Sequence, residues 1–189
     1  MNKVLCLLVV ALSMTVATFA QSVKVMNKKE LNQKILVAYF SATGTTARAA
    51  QKIVRLTGGE LYAITPAQPY SDADLNWHNE KSRSSVEMNN PKARPALGGK
   101  QLDLSAYDVV FIGYPIWWNL APRIINTFIE SQEWKGKTII PFATSGSSSI
   151  SNSITQLKHT YSNLNWKEGK LLNQADEKSI QNWIKKLSY

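Results

Sequence analysis

The sequence has little of the chemistry that thiol and metal sites need. Its 189 residues include one cysteine, Cys6, and two histidines, His78 and His159. A form of the chain that lacks its first residues has no thiol for a disulfide, an iron–sulfur cluster or a catalytic nucleophile. The two histidines lie far apart and in no ligand-like spacing, so we expect no metal site. No side chain is predicted to be a catalytic residue.

Several well-known sequence signatures are also missing. The chain contains no Gly-x-Gly-x-x-Gly dinucleotide fingerprint and no Walker loop with its Gly-Lys-Ser/Thr ending. It lacks the Gly-x-Ser-x-Gly elbow of serine hydrolases. No basic run with interleaved aromatic residues is present, so we expect no nucleic-acid partner.

Acidic residues are scarce relative to basic ones. The chain has 13 aspartates and glutamates against 22 lysines and arginines, which gives a formal net charge of +9. A basic balance favours acidic partners or anionic surfaces, but it indicates nothing about the fold. The excess lies outside residues 106–150, where basic and acidic side chains are equal in number.

The N-terminal segment has the pattern of a targeting sequence. Lys3 precedes an apolar run over residues 4–20, which is shorter than the ~20 residues of a membrane span. The run ends in small residues and then turns polar, as a secretory signal peptide does. We predict a signal peptide at 1–20, a polar tether at 21–33 and one domain at 34–189, with export to the periplasm. The alternative is an uncleaved anchor, and only then do we expect contact with a membrane.

Apolar runs of strand length alternate with helical patterns through the rest of the chain. Such runs are typical of buried parallel strands, and intervening helices imply a sheet covered on both faces. The longest connection, residues 66–105, begins with a capping-box pattern at Ser71 and Asp74 that predicts a helix toward Met88. We therefore predict an α/β fold with five parallel strands, at residues 35–40, 60–65, 107–113, 138–143 and 166–172.

Three loops of unusual composition follow the first, third and fourth predicted strands. Ligands bind at these carboxyl ends in open parallel sheets. The first loop has four hydroxyl side chains around one glycine and no lysine or arginine, directly before a helix. It suits a phosphate held by neutral donors and the helix N-terminus, or it is only a hydroxyl-rich helix cap. Its residues are Ser41, Ala42, Thr43, Gly44, Thr45 and Thr46.

The other two loops are aromatic and small-polar, respectively. The second contains the run Pro115, Ile116, Trp117 and Trp118. Because an indole is costly to expose, either one ring stacks on a flat ligand or both pack beneath the 66–105 connection.

The third loop begins Thr144, Ser145 and Gly146. It could present backbone amides to a polar ring edge, or it is a flexible serine-rich segment. Composition alone does not decide between these alternatives.

Together the three loops resemble the flavodoxin family. Residues 41–46 match its Ser/Thr-x-Thr-Gly-x-Thr phosphate-loop pattern. The sequence Ile-Gly-Tyr-Pro-Ile-Trp-Trp at 112–118, with Ala121-Pro122, is similar to a flavodoxin-like group widespread in bacteria, and Phe-Ala-Thr-Ser-Gly at 142–146 matches that group too. The resemblance covers about residues 34–189.

This resemblance implies a flavodoxin-like three-layer sandwich with strand order 2-1-3-4-5 that binds FMN. It would place the FMN phosphate on the first loop and the isoalloxazine between the second and third loops. Of the two tryptophans, Trp117 is favoured over Trp118 as the stacking ring.

The resemblance leaves three functions open. The first, which we predict, is an exported electron carrier that docks with a redox partner protein. The second is an FMN-dependent NAD(P)H or quinone oxidoreductase, in which the 66–105 connection covers the flavin and contacts a small redox substrate. The third is a binding module that has lost the flavin. The basic charge and signal-like N-terminus depart from typical acidic, cytoplasmic flavodoxins, and the sequence predicts no oligomeric state.

Overall fold

The computed structural model describes residues 33–187 and residue 189. The predicted signal peptide, and the predicted tether apart from Gln33, lie outside the described residues. No helix within the described part is long and apolar enough to cross a membrane.

Strands and helices alternate along the described chain. One short 3₁₀ helix spans Leu104–Ala106. In chain order the elements are β1 (Ile35–Tyr39), α1 (Thr45–Thr57), β2 (Glu60–Ala63), β3 (Thr65–Pro66), α2 (Arg83–Asn89), β4 (Leu97–Gly98), β5 (Val109–Pro115), α3 (Arg123–Glu130), β6 (Thr138–Thr144), α4 (Ser151–Thr160), β7 (Asn165–Trp166), β8 (Lys170–Leu171) and α5 (Glu177–Lys186).

One parallel sheet organises these elements. Its order is β2-β1-β5-β6-β7, and β8 also pairs with β6, beside β7 along the same edge. Every pairing in this sheet is parallel. The predicted order 2-1-3-4-5 is therefore confirmed, with β7 and β8 together in the fifth position. β3 and β4 form a separate antiparallel pair that joins the start of the 66–105 connection to its later part.

The sheet lies between two hydrophobic cores, because successive side chains of a strand point to opposite faces. In β1, Leu36 belongs to one core and Val37 to the other. The Leu36 core includes Phe128 of α3 and Leu157 of α4, whereas the Val37 core includes Ile53 of α1 and residues of α5. Full burial of an aliphatic or aromatic side chain contributes roughly 1.5–3 kcal/mol. The predicted three-layer α/β sandwich is confirmed.

The strand predicted at residues 166–172 is divided into β7 and β8 because the neighbouring strand, β6, contains a proline. The carbonyls of Ile139 and Ala143 both accept hydrogen bonds from this edge strand at 2.8 Å, so the odd-numbered residues of β6 face it. Pro141 lies between them and has no N–H to donate. There the chain leaves the ladder, and a β-carbon on Gly169 would lie 2.7 Å from the Pro141 carbonyl oxygen. The prediction of one continuous strand over 166–172 was wrong for this reason.

The helix predicted over residues 71–88 is only partly present. The capping-box hydrogen bonds do form: the Ser71 N–H donates to the Asp74 carboxylate at 2.9 Å, and the Asp74 N–H donates to the Ser71 hydroxyl at 3.2 Å. Beyond them, the side chains of Asn76 and Asn79 each accept from the backbone N–H two residues on. Such turns compete with helical hydrogen bonds, and the regular helix is limited to α2.

Candidate functional site

The three loops predicted from sequence meet at the carboxyl edge of the sheet. Thr144, at the end of β6, connects them. Its hydroxyl lies 2.8 Å from the hydroxyl of Thr46 in the first loop. Its carbonyl accepts from the Ile116 N–H at 2.8 Å, and Pro115 is its register partner in the sheet. One buried residue therefore fixes the phosphate loop and the aromatic loop relative to each other.

The first loop presents hydrogen-bond donors that have no protein partner. Gly44, at the N-cap of α1, has φ +84, and no side chain caps the helix. Within the described chain, no backbone N–H between residues 41 and 47 donates a hydrogen bond. The Ser41 hydroxyl is sealed from solvent without a partner there. Thr43 is exposed at the tip, and Ala42 lies beside Ser41. Because buried donors are normally satisfied, this loop fits a polyoxygen anion rather than a self-capped helix.

Arg48 is a charged residue at this loop that the sequence analysis missed. It lies in the first turn of α1, where Nη2 donates to the Thr45 hydroxyl at 3.2 Å. Its Nη1 would lie 3.4 Å from a β-carbon placed on Gly44. Residues three and four apart on a helix are neighbours, so the spacing from Gly44 and Thr45 could have revealed it. The loop itself has no charged residue, but a guanidinium lies against it.

The second loop reverses direction in a two-residue turn. The Trp117 N–H donates to the Leu120 carbonyl at 3.0 Å, and the Leu120 N–H donates back at 2.9 Å. Between them, Trp118 and Asn119 have φ +47 and +63, the signs expected of a type I′ turn. Trp118 is 43% exposed. A non-glycine residue in this backbone region is strained by about 1–2 kcal/mol, and such strain occurs often at ligand sites.

Trp117 is the tryptophan that the fold holds in place. Its ring makes edge contacts with Phe40 and Tyr70, with centroids 5.6 and 5.3 Å apart. The Tyr70 hydroxyl donates to the Glu87 carboxylate, which also accepts from Arg83 at 2.7 Å. The Arg83 guanidinium lies 4.0 Å from the centre of the Tyr70 ring. Burial and the adjacent carboxylate raise the pKa of Tyr70. Trp117 is therefore fixed between the sheet and the 66–105 connection.

Two cavities adjoin these loops. The aromatic cavity, about 450 Å³, is lined by Ile116 and both tryptophans, by residues 145–148, and by Leu75, Trp77 and Ser84 of the long connection. The loop cavity, about 300 Å³, is lined in part by Ser41, Ala42, Gly44 and Tyr70. Trp117 lines the first and Tyr70 the second, and these two rings are in contact. The arrangement can hold a planar group beside the tryptophans and an anionic group at the first loop.

The third loop is tied to the end of the sheet. The Ser145 N–H donates to the Asn173 side-chain oxygen at 2.6 Å, and the Asn173 amide donates to the Ser145 carbonyl at 2.6 Å. Asn173 therefore engages the Ser145 amide, and a contact between Ser145 and the flavin stays a prediction. The Gly146 N–H has no partner in the described part of the chain, and a β-carbon there would meet nothing within 4 Å. Gly146 thus leaves an open amide in this loop, and the N–H groups of Ser147 and Ser149 likewise have no partner among the described residues.

The fold and site together define a flavodoxin-like protein, and comparison with known proteins agrees. The flavodoxin family model matches residues 34–187. The chain therefore belongs to the flavodoxin family.

Similar solved structures extend this result. A candidate flavoprotein of Bacteroides eggerthii is 66% identical, with a TM-score of 0.81, and the match covers 84% of this chain and 99% of that one. Another, of Bacteroides uniformis, is 59% identical, with a TM-score of 0.79 over 82% and 99%. A Lactobacillus acidophilus flavoprotein in complex with FMN shares the fold at 21% identity, with a TM-score of 0.65 over 80% and 99%. No curated protein gives a significant match.

Proposed function

We propose that this protein binds FMN non-covalently and carries electrons to or from a redox partner outside the cytoplasm. The observation that carries the proposal is the unsatisfied first loop, in which the buried Ser41 hydroxyl and the backbone amides lack protein partners. A flavin phosphate has the oxygens to accept from all of them. The shared fold with the FMN-bound Lactobacillus acidophilus flavoprotein supports this choice of ligand.

The first loop would hold the phosphate by three means. Free amides at the start of α1 donate toward an anion, and the positive end of the helix dipole favours its charge. The Ser41 and Thr43 hydroxyls add neutral donors. Arg48 adds a full positive charge beside Gly44. Riboflavin has no phosphate to accept from these donors, so the loop should bind FMN more tightly than riboflavin.

The aromatic cavity would hold the ring. Trp117 forms one wall, in an orientation fixed by Phe40 and Tyr70, and the third loop with its open Gly146 amide forms the other. When bound, the flavin supplies reversible transfer of one or two electrons. The protein's part is to orient the ring, to limit water around it and to leave an edge within reach of a partner.

The spectrum of the purified protein tests FMN binding. We expect a yellow protein, with one FMN released per chain on denaturation and identified by chromatography. The apoprotein should rebind FMN more tightly than riboflavin. A colourless protein that binds neither would overturn the proposal and leave the flavin-free binding module.

A second candidate function is an FMN-dependent NAD(P)H or quinone oxidoreductase. The observation that favours it is that Leu75, Trp77 and Ser84 of the long connection line the aromatic cavity. Trp77 is 66% exposed and Trp118 is 43% exposed, so both indoles leave surface for a flat substrate, although the His78 ring lies against that of Trp77 with centroids 3.5 Å apart. Such rings are costly to expose without a use.

Anaerobic mixing separates the two functions. For an electron carrier, NADH, NADPH and a quinol should leave the visible flavin absorbance unchanged over seconds, whereas dithionite should bleach it. For an oxidoreductase, one of these substrates should bleach it rapidly, and Trp77→Ala should slow that reduction. Lys92→Ala, in the same connection but outside the lining of the aromatic cavity, is the matched control.

The proposed partner is an acidic protein or another anionic redox surface outside the cytoplasm. Support comes from the net charge, which is +9 for the whole chain and +8 for a chain beginning at Gln21, with the excess outside residues 106–150. Steering between opposite charges weakens with salt, so the rate of electron transfer to the partner should fall as ionic strength rises.

Export rests on the signal-like segment at 1–20. Intact mass of the protein from the periplasmic fraction should correspond to a chain beginning at Gln21, and a full-length cytoplasmic product would contradict export.

A further inference from the structure

Arg123, the first residue of α3, has a positive charge that no carboxylate of the described residues neutralises. It is 8% exposed. Nη2 donates to the Met88 carbonyl at 2.8 Å and Nε donates to the Glu87 carbonyl at 3.4 Å. Arg123 takes part in none of the ion pairs found among the described residues. A buried charge without a counter-charge is unfavourable, so the pattern points to a missing partner.

The carbonyls of α2 offset this charge only in part. Glu87 and Met88 lie at the C-terminal end of α2, which is the negative end of its dipole. A guanidinium has five N–H groups, and these two bonds use two of them. Both N–H groups of Nη1 are without a partner in the part of the chain that the structure describes, and Nη1 is accessible to solvent. Burial and the nearby Arg94 lower the pKa of Arg123, as expected where a negative group is lacking.

A small cavity lies where Arg123 reaches solvent. The Arg123 cavity, about 70 Å³, is formed by residues of α3, α4 and the loops before α3. A water molecule takes roughly 30 Å³ of liquid, so the space admits one oxyanion group but not a nucleotide. Its polar lining consists of two guanidinium, two amide and two hydroxyl side chains and no carboxylate: Arg94, Arg123, Asn126, Gln156, Ser153 and Thr160.

The acidic residue near this cavity is already paired. Glu130 accepts from Arg94 at 2.7 and 2.8 Å and from the Tyr161 hydroxyl at 2.7 Å. The Asn126 side-chain amide donates to the Tyr161 oxygen at 3.0 Å. This network neutralises Arg94 but not Arg123. The cavity therefore retains one positive charge together with the donors of Asn126 and Gln156.

We propose that the Arg123 cavity binds one oxyanion group, a carboxylate or a phosphate, of a small molecule. A planar guanidinium with three free N–H groups, two of them on Nη1, matches such a group in a charge-assisted pair. The cavity shares no lining residue with the loop cavity, so this site is separate from the proposed FMN phosphate site and does not depend on it.

Nuclear magnetic resonance of the unaltered protein tests the site directly. Acetate, and in a second series inorganic phosphate, replaces chloride at constant ionic strength in protein saturated with FMN. We expect saturable shifts of the side-chain amide signals of Asn126 and Gln156. Absence of a saturable shift with both anions overturns the proposal. These signals report on the cavity alone, so failure to bind FMN would not be mistaken for failure here.

A variant provides the second test. In Arg123→Met, the saturable shifts and the anion-dependent rise in unfolding temperature should be lost, whereas Arg123→Lys should retain both with at least tenfold weaker binding. Arg55→Met is the matched control, because Arg55 is an exposed arginine paired with Glu177 elsewhere on the domain. An equal response in Arg123→Met and the unaltered protein would overturn the proposal. If Arg123→Met fails to fold, the titration of the unaltered protein still decides.

Discussion

The hydroxyls of Thr46 and Thr144 lie 2.8 Å apart at the centre of the site, although 98 residues separate them in the chain. Thr46 is 1% exposed and Thr144 is 3% exposed, so neither side chain has ready access to water in place of the other. The bond joins the start of α1 to the end of β6. It therefore sets the position of the phosphate loop relative to the loops that border the aromatic cavity.

Removal of both hydroxyls should cost less than the sum of the two single removals. Thr144→Val leaves the buried Thr46 hydroxyl without its partner, and we expect the free energy of unfolding to fall by about 1–3 kcal/mol. The double variant Thr46→Val/Thr144→Val should lose less free energy of unfolding than the sum of the losses in the two single variants. Urea unfolding of the three variants measures this, and FMN titration should show weaker binding in both single variants. Strictly additive losses would contradict the coupling.

A side chain at Gly44 should damage ligand binding beyond its effect on stability. Gly44 and Gly136 have φ +84 and +75, so alanine at either position should cost about 1–2 kcal/mol of stability from backbone strain. Only Gly44→Ala also brings a β-carbon to 3.4 Å from Arg48 at the loop. We expect FMN affinity to fall at least tenfold in Gly44→Ala and to be unchanged in Gly136→Ala. Equal FMN affinities in the two variants would contradict the assignment of the phosphate loop.

Arg48 should contribute to binding through the phosphate alone. In Arg48→Met we expect about a tenfold loss of FMN affinity, which corresponds to about 1.4 kcal/mol, with riboflavin affinity unchanged. The salt dependence of FMN binding should also decrease, since fewer charges are involved. Arg55→Met, on the same helix and paired with Glu177, is the control and should bind both flavins as before. An equal loss for FMN and riboflavin would show that Arg48 only supports the loop.

Most of the fold could be predicted from the apolar runs of the buried strands and from the composition of the loops. Apolar runs are readable without tertiary information, which is why the strands themselves were predicted, whereas their order was what the resemblance to the flavodoxin family implied. The exceptions depend on individual hydrogen bonds. Pro141 interrupts the neighbouring strand through a donor that it lacks, and the Asn76 and Asn79 turns replace a predicted helix. These effects involve particular hydrogen bonds, which residue patterns describe only weakly.

The sequence predicted which loops form the candidate site, but not which residues contact one another within it. Sequence indicated the phosphate and aromatic loops, yet it did not show that Asn173 occupies the Ser145 amide or that Arg48 lies against Gly44. Asn173 is 28 residues from Ser145, and no local pattern links them. The Trp117 preference gains support from its packing on Phe40 and Tyr70; which ring contacts the flavin stays a prediction.

Tyr114 should make the protein sensitive to alkali. Burial raises the pKa of Tyr114 to about 12, and its hydroxyl lies 3.1 Å from the hydroxyl of Ser153. The unfolded chain has a tyrosine pKa of about 10. Because the folded pKa is the higher one, this contribution to stability is complete below about pH 10 and is lost as pH rises toward about 12.

Tyr114→Phe isolates that contribution. At neutral pH we expect it to lower the free energy of unfolding by about 1 kcal/mol, the usual value of one hydrogen bond, because Ser153 keeps its bond to the Ile150 carbonyl. Between about pH 10 and pH 12 the unaltered protein should lose up to roughly 2–3 kcal/mol more stability than Tyr114→Phe does, at about 1.4 kcal/mol per pKa unit. Urea unfolding across this range measures both curves. Parallel curves would mean that the Tyr114 hydroxyl does not titrate in this range.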